Sequence, residues 1–232
     1  MAYRYGNSLQ KDTPVVFNLI IINVLAFLLE NVVKNFDIEK WGSLYYYKST
    51  MFHPYQFITA MFLHANLGHI FFNMFGLWMF GTILEKFIGS QKFLIFYFIC
   101  GIGAGLFEQL LTPYDTLQIA KATPEYLSGQ YPLQEVVQSY LESNYSLGAS
   151  GAIMGVLAAF AYLFPNTQLF IMFIPIPVKA KYVIPFFVLI DVFGGFYRIK
   201  GDDVAHFAHL GGALVGFLVM LYWNKTNRKT LY

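Results

Sequence analysis

Charged residues are scarce in this sequence. Asp, Glu, Lys and Arg make up 12% of its 232 residues, whereas 57% are hydrophobic. A soluble domain carries about twice that charged fraction. The formal net charge of +2 provides no basic surface of the kind that nucleic acid requires. The composition therefore argues against a soluble domain and a nucleic-acid partner, and it predicts that much of the chain lies in a lipid bilayer.

Cysteine is nearly absent, and no cleavable signal peptide is visible. Cys100 is the only cysteine, so no disulfide can form within the chain. It lies in an apolar run without a neighbouring base, which argues against a thiol nucleophile. The first apolar stretch, residues 15–33, is long for a signal-peptide core and is not followed by a small-x-small cleavage site. We expect it to be a permanent span.

Long hydrophobic blocks are what the sequence has in abundance. A helix needs about 20 apolar residues to cross a bilayer. Six blocks are predicted to do so: 14–33, 66–86, 92–111, 150–164, 182–199 and 204–223. Residues 34–63 are aromatic and amphipathic, which predicts a first loop in the membrane interface, and residues 112–147 are predicted to form a polar loop. The expected fold is an all-α integral membrane protein in one domain, residues 1–232.

The flanking charges and the lack of extra segments suggest a location. Basic residues are more numerous on the side of the membrane that would hold both termini, and this bias places the termini in the cytoplasm. Spans two, four and six then begin at the outer face. Because no targeting segment or additional domain is visible, we expect a prokaryotic inner (plasma) membrane.

The fourth span, residues 150–164, is short. Fifteen residues give about 22 Å of helix, whereas the hydrocarbon core is about 30 Å thick. One end should therefore lie below the membrane surface, where polar backbone must border protein or a watery cavity. Gly148–Gly151 at the outer end indicates a cavity there. Alternatively, a Pro-kinked helix could continue through the apolar residues 168–174.

Polar side chains cluster near the outer starts of spans two, four and six. Polar groups within spans are costly and are usually functional. The span order places five of them at a similar depth: His69, Asn73, Ser150, His206 and His209. We expect these residues to form the functional site.

Two pairs of glycines predict that the fourth and sixth helices approach closely. Gly151 and Gly155 follow Ser150, and Gly212 and Gly216 follow His209. Such small-xxx-small faces allow helix backbones to come together in membranes. A serine and a histidine need this proximity to share a hydrogen bond.

The chemistry that fits these residue types is nucleophilic catalysis by serine. Ser150 needs a base within about 3 Å and a site for an oxyanion, and His209 is the candidate base. His69 and Asn73, four residues apart, share one helix face and are suited to donate to the oxyanion. No carboxylate is well placed to orient His209, with Asp191 only a loose candidate, so we expect a dyad rather than a triad.

Three motifs resemble those of rhomboid intramembrane proteases. His64–Asn73 resembles the second-span signature of that family, Gly148–Gly151 its nucleophile motif, and Ala208–Gly216 its base motif. Glu85–Lys86 with Gly89–Ser90 is similar to the segment that closes the second span. Many members carry Trp-Arg in the first loop where this chain has Tyr55 and Gln56, so the packing of that loop should differ.

The resemblance implies a six-helix rhomboid-like bundle and a serine endopeptidase. It implies Ser150 as nucleophile, His209 as base, and His69, Asn73 and the Ser150 backbone N–H as the oxyanion hole. It further implies cleavage of transmembrane protein substrates near the outer membrane face, without a cofactor or metal.

Other functions remain as alternatives. A non-catalytic rhomboid-like protein that binds membrane helices would typically lack the serine or the histidine, and both are present. A small transporter should show an inverted repeat or paired broken helices, and neither is visible. Zinc could be held by His69, His206 and His209, but no HExxH motif is present. We expect His64 and His206 to have packing roles.

Overall fold

Six long helices occupy the six predicted spans in the computed structural model, which describes residues 12–33, 37–170, 177–197 and 204–226. In chain order the elements are α1 (Pro14–Val32), α2 (Ile38–Gly42), β1 (Leu44–Tyr45), α3 (Gln56–Thr59), α4 (Leu67–Ile88), α5 (Ser90–Ala122), α6 (Pro124–Leu127), α7 (Leu133–Ser143), β2 (Tyr145–Ser146), α8 (Ser150–Leu163), β3 (Gln168–Phe170), β4 (Pro177–Lys179), α9 (Ala180–Phe196) and α10 (His206–Thr226). The last two residues of the predicted fifth span, 198 and 199, lie outside the described ranges.

The helical composition confirms the predicted all-α membrane fold. Helices α1, α4, α5 and α10 are long and apolar enough to cross a bilayer. Helices α8 and α9 are shorter, with 14 and 17 residues. The strands form two small antiparallel pairs, β1 with β2 and β3 with β4. Within α4, residues Leu77–Gly81 form a π-helical turn.

The predicted polar loop at residues 112–147 is wrong, because most of this segment is helical. Helix α5 runs for 33 residues to Ala122, through Pro113, and α6 and α7 follow. A helix of that length spans about 50 Å, well beyond the hydrocarbon core. The polar residues therefore mark where α5 leaves the membrane rather than where it ends, and its projecting part packs against α7.

The fourth long helix is short, as predicted. Helix α8 ends at Leu163, and β3 follows and pairs with β4, so no Pro-kinked helix continues through residues 168–170. Its 14 residues give about 21 Å, less than a bilayer core. The residues just before Ser150 determine where α8 begins.

Helices α4 and α8 lie parallel along one side of the bundle. Phe80 packs edge-on against Phe160 with ring centroids 5.0 Å apart. Further along both helices, Phe87 packs against Phe164 at 5.2 Å. Since contacts advance in the same direction on both helices, their N-terminal ends, with His69 and Ser150, lie at the same face of the bundle.

A buried glutamine organises the first loop. The side chain of Gln56 is fully buried. Its Oε1 accepts from the backbone N–H of Tyr45 at 3.4 Å and of His53 at 3.1 Å. Its Nε2 donates to the carbonyls of Met51 at 2.9 Å and Trp41 at 3.3 Å. This neutral amide satisfies four backbone groups of the first loop.

One carboxylate near the end of α4 binds the start of α1 through hydrogen bonds. Glu85, 1% exposed, accepts hydrogen bonds from the backbone N–H groups of Val15 at 3.0 Å and Val16 at 2.8 Å. The Ser90 hydroxyl also donates to it, at 2.6 Å. A carboxylate at a helix N-terminus satisfies free N–H groups and opposes the positive end of the dipole.

Candidate active site

Ser150 and His209 are in direct contact. The Ser150 Oγ lies 2.8 Å from the His209 Nε2, a normal hydrogen-bond distance. Ser150 is the first residue of α8, and His209 lies in the first turn of α10. The structure therefore brings together two residues that are 59 positions apart in the sequence.

Glycines make this contact possible, as predicted. A Cβ added to Gly212 would collide with the carbonyl oxygen of Gly151, and one added to Gly216 would collide with that of Gly155. Close packing of two helix backbones requires that neither carries a side chain at the crossing. The predicted close approach of the fourth and sixth helices is confirmed.

The residues before Ser150 are held by the first loop. The Gly148 N–H donates to the Ala60 carbonyl at 2.8 Å, and β2 pairs with β1, with Ser146 opposite Leu44. Gly148 has φ +128°, a conformation that L side chains rarely adopt. These constraints fix the turn that presents Ser150 at the start of α8.

His69 lies beside Ser150. A Cβ built on Gly148 would lie 2.9 Å from the His69 Nε2 and 3.6 Å from the Ser150 Oγ. Both polar atoms thus lie within 4 Å of one point, and glycine at position 148 keeps it open. The His69 backbone N–H is bound by the Asn66 side chain at 2.9 Å, which caps α4 and holds the histidine in its first turn.

Asn73 lies one turn further along α4, on the face that contacts α8. Three residues later, Gly76 approaches the Ile153 side chain. Ile153 is likewise three residues after Ser150, so the parallel helices place Asn73 near the level of Ser150. Asn73 is 6% exposed, and its Nδ2 has no hydrogen-bond acceptor among the described residues. Such an unsatisfied buried donor is costly and is available for an incoming oxygen.

The expectation that no carboxylate is well placed to orient His209 is wrong. The Asp191 Oδ1 lies 3.0 Å from the His209 Nδ1 and 2.8 Å from the His206 Nδ1. A carboxylate only accepts hydrogen bonds, so both rings donate through Nδ1–H. This leaves the His209 Nε2 with its lone pair directed at Ser150. The sequence does not reveal this contact, because it gives no measure of how closely α9 approaches α10.

Two further glycines allow that approach. Gly194 lies against the His206 ring, and a Cβ on Gly195 would lie 2.9 Å from the Phe207 ring. Asp191 is the only acidic residue of α9 and is 6% exposed. A buried charge within a membrane helix needs a partner, and this was the signal in the sequence that pointed to Asp191. His206 packs as expected, but it also binds the carboxylate.

Comparison with known proteins identifies the family of this chain. The family model described as "Rhomboid domain" matches residues 51–225, which include the three motifs and both members of the Ser150–His209 contact. The chain belongs to the rhomboid family.

Several curated rhomboid proteins are similar to this chain over most of its length. Rhomboid protein 1, mitochondrial, from Saccharomyces cerevisiae is 30% identical over 216 residues, which cover 93% of this chain and 55% of that protein. Rhomboid-like protein 11, chloroplastic, from Arabidopsis thaliana is 29% identical over 225 residues, covering 92% and 66%. The human presenilin-associated rhomboid-like protein, mitochondrial, is 27% identical over 224 residues, covering 94% and 51%. This rhomboid therefore spans about half to two thirds of the length of these relatives.

The relatives correct the expected location. They are named as mitochondrial or chloroplastic proteins, so the predicted prokaryotic plasma membrane with cytoplasmic termini is wrong. That prediction rested on a modest charge bias and on the lack of a visible targeting segment. Neither feature distinguishes the six-helix core of an organellar rhomboid from that of a bacterial one.

His64 supports His69 from the loop side of this rhomboid site. The two rings lie 5.1 Å apart at 66°. His64 is buried, with 3% of its surface exposed. Burial, with a smaller effect of the neighbouring His69, lowers the pKa of His64 to about 4. The ring is therefore neutral at physiological pH and acts as packing, in line with the sequence-based expectation.

The structure does not bring together a zinc site from the histidines. Within the described ranges, no group of three or more His, Cys, Asp and Glu side chains is arranged to hold a metal ion. The two histidines of the His206-x-x-His209 pair both turn Nδ1 toward Asp191, and the His209 Nε2 faces Ser150. These side chains are thus paired with one another.

Proposed function

We propose that this rhomboid is an intramembrane serine endopeptidase that cleaves transmembrane protein substrates near the membrane face at which α8 begins. The observation that carries the proposal is the 2.8 Å contact between the Ser150 Oγ and the His209 Nε2, with Asp191 bound behind His209. The rhomboid family includes intramembrane serine proteases and also members that have lost catalysis, so membership alone does not decide between them.

The proposed reaction begins with the Ser150 hydroxyl. His209 Nε2 takes the hydroxyl proton while the Ser150 oxygen attacks the scissile carbonyl. The tetrahedral intermediate collapses when His209 returns the proton to the leaving amine, which gives an acyl-enzyme. Water then enters, His209 removes one of its protons, and hydrolysis releases the carboxyl product and restores Ser150. The Asp191 carboxylate stabilises the imidazolium that forms in each half-reaction.

Three donors would bind the oxyanion. The Asn73 Nδ2 is buried and unsatisfied within the described part of the chain, and the His69 Nε2 lies close to Ser150 across Gly148. The Ser150 backbone N–H belongs to the first turn of α8, where N–H groups have no intrahelical acceptor. Donors fixed in advance toward developing negative charge contribute more than donors that must reorient.

The proposed substrates follow from the setting of the site. A transmembrane helix shields its peptide bonds with its own hydrogen bonds, so the cleaved segment must unwind locally. Residues of weak helix propensity near the scissile bond lower that cost. The names of the relatives favour an organellar membrane as the location. The lipid bilayer and transmembrane proteins are thus the proposed partners.

A fluorescent fluorophosphonate probe tests the proposal directly. Purified protein in detergent should be labelled, and Ser150→Ala and His209→Ala should both abolish labelling, because one removes the nucleophile and the other its base. Ser143→Ala is the matched control, since Ser143 is an exposed serine whose hydroxyl donates to the Ser139 carbonyl. It should be labelled like the wild type.

The same proteins should then be tested on a reconstituted transmembrane substrate. Wild type and Ser143→Ala should cleave it, and Ser150→Ala should not. Folded wild-type protein that neither labels nor cleaves, while a known serine hydrolase labels in the same buffer, would refute the proposal. A non-catalytic protein that binds membrane helices would then be the better description.

A further inference from the structure

Two imidazole rings bind the same oxygen of the Asp191 carboxylate. The Asp191 Oδ1 lies 2.8 Å from the His206 Nδ1 and 3.0 Å from the His209 Nδ1. The shorter contact is made by His206, whereas His209 is the ring that contacts Ser150. His206 is 5% exposed and Asp191 is 6% exposed, so the carboxylate meets these two donors inside the protein.

A single hydrogen bond would define the orientation of this carboxylate poorly. The torsion that turns the carboxylate of an aspartate is broad, unlike the narrow staggered wells of an aliphatic side chain. Helix α9 adds little restraint, since most of its apolar side chains lie exposed on the outside of the bundle. A second donor on the same oxygen holds that oxygen between the two rings.

The backbone of α9 makes room for the His206 ring beside Asp191. Gly194 follows Asp191 by three residues and therefore lies on the same face of α9. A Cβ added to Gly194 would collide with the Nε2 and Cε1 atoms of His206. The ring thus packs directly on the α9 backbone, at the place from which its Nδ1 reaches the carboxylate.

Phe207 supplies an apolar contact between the same two helix ends. A Cβ added to Gly195 would lie 2.9 Å from the Phe207 ring, and the ring centroids of Phe207 and Phe196 are 5.6 Å apart. This contact does not involve the His206 N–H. The hydrogen bond from His206 to Asp191 can therefore be removed while the apolar contact of α9 with α10 is kept.

We propose that His206 is a positioning residue, which holds the Asp191 carboxylate in the orientation that binds the His209 Nδ1–H. The inference rests on the proposed protease function and adds a residue to it. His206 acts through Asp191, and Asp191 acts through His209. The hydrogen bond at one ring nitrogen of a histidine decides which form the other presents, so this support keeps the His209 Nε2 ready to take the Ser150 proton.

His206→Asn and His206→Leu separate the hydrogen bond from the packing. The amide nitrogen of asparagine is as many bonds from Cα as the histidine Nδ1, and leucine has a methyl group there. We expect kcat on a reconstituted transmembrane substrate to fall by about three- to tenfold in His206→Leu, the effect of one lost hydrogen bond, with KM unchanged. His206→Asn should be faster than His206→Leu. A merely structural role predicts the reverse order, because leucine buries more apolar surface.

A double variant tests whether His206 acts through Asp191. Once Asp191→Ala has removed the acceptor, adding His206→Leu should cause no further loss of kcat, and such non-additivity identifies residues that are coupled. An additive loss would overturn the proposal. His53→Leu is the matched control: its Nδ1 lies 3.1 Å from the Met51 carbonyl oxygen, so it also loses a ring hydrogen bond, and it should keep the wild-type kcat.

Proton NMR of the protein in detergent, with ¹⁵N-labelled histidine, examines the contact without any substrate. An imidazole N–H that donates to a carboxylate resonates far downfield, and Asp191→Ala should remove both such signals. The His209 signal should persist in His206→Asn and should shift or broaden in His206→Leu. A His209 signal that is unchanged in His206→Leu would overturn the proposal, because Asp191 then keeps its orientation without His206.

The outcomes keep the two proposals apart. Equal kcat in His206→Leu and wild type overturns the positioning role and leaves the protease function intact. The same holds if His206→Asn is as slow as His206→Leu, since a restored donor would then restore nothing. Wild-type protein that neither labels nor cleaves refutes the protease function, and the NMR comparison then decides separately whether His206 orients Asp191.

Discussion

The two helices that hold the partners of His209 are packed very differently. Helix α8, which carries Ser150, buries eight of its 14 residues, including the run Gly151–Val156. Helix α9, which carries Asp191, leaves most of its apolar side chains exposed on the outside of the bundle: Phe186, Phe187, Leu189, Ile190, Phe193 and Phe196. One partner of His209 therefore sits in the core and the other on a peripheral helix.

The difference shows which contact the fold defines most strictly. Backbone atoms of α8 and α10 touch at two glycine crossings, so a shift of α8 would break packing along its length. Helix α9 reaches α10 mainly near its end, at Asp191, Gly194 and Gly195. We infer that the Ser150–His209 distance depends on the core, whereas the Asp191–His209 contact depends on the docking of α9.

The largest expected effect comes from breaking the core side. Gly212→Ala adds one methyl group where the Gly151 carbonyl lies. Separating the helices by even about 1 Å costs about 100-fold in rate, and overpacking costs about 1–3 kcal/mol of stability. Fluorophosphonate labelling should therefore fall by at least about 100-fold, and the protein should unfold at a lower temperature in detergent.

Gly76→Ala is the matched control for that substitution. It also adds one methyl group to a helix packed on α8, but here the added Cβ would lie 3.4 Å from the Ile153 side chain, a tolerable contact. Alanine is otherwise favoured over glycine in helices by about 1 kcal/mol. Equal losses of labelling in Gly76→Ala and Gly212→Ala would contradict the special role of the α8–α10 crossing.

A smaller effect is expected on the peripheral side. Asp191→Asn keeps an acceptor for the two Nδ1–H groups but removes the charge behind His209. A hydrogen bond to a charged group contributes about 1.5–3 kcal/mol, so kcat should fall by about 10- to 100-fold with little change in KM. Asp191→Ala should be slower still, because the acceptor is lost as well.

This comparison separates a positioning role from a merely structural one. Asp191→Asn should unfold at nearly the wild-type temperature, since its shape and hydrogen bonds are kept. If the wild-type rate persists in Asp191→Asn, the carboxylate does not support His209, and the site works as the dyad that the sequence predicts.

The docking of α9 can be weakened without touching the acid. Gly194→Ala places a methyl group against the His206 ring and should loosen the His206–Asp191 contact while His209 keeps its own bond to Asp191. Labelling should fall by less than about 10-fold, with about 1–3 kcal/mol of overpacking seen as lower thermal stability. A loss of labelling as large as that of Gly212→Ala would mean that the site depends equally on the packing of α8 and of α9 against α10.

The same contrast explains what the sequence could and could not predict. The apolar blocks locate all six long helices, and the glycine pairs correctly predict the α8–α10 contact, because both patterns depend on residues close together in the chain. The contact of Asp191 with His209 is not predictable in this way, because it depends on how α9 docks. Polarity was misleading at residues 112–122, since a helix in water does not need apolar residues. The roles of Ser150, His209, His69 and Asn73 stay predictions until activity is measured.

The smallest expected effect concerns His64, which packs on His69 from the loop rather than from a helix core. Its folded pKa of about 4 lies below the unfolded value of 6.5, so protons bind the unfolded chain more readily. The stability contributed by its neutral ring is complete above about pH 6.5 and is lost as pH falls toward 4. Between pH 7 and pH 5 the loss amounts to about 2 kcal/mol.

His64→Phe, which keeps a buried ring that cannot titrate, should remove this part of the pH dependence of unfolding in detergent. His53→Phe, which alters a less buried histidine of the same loop, should retain it. If His64→Phe loses stability on acidification as steeply as the wild type, a group other than His64 causes the acid sensitivity.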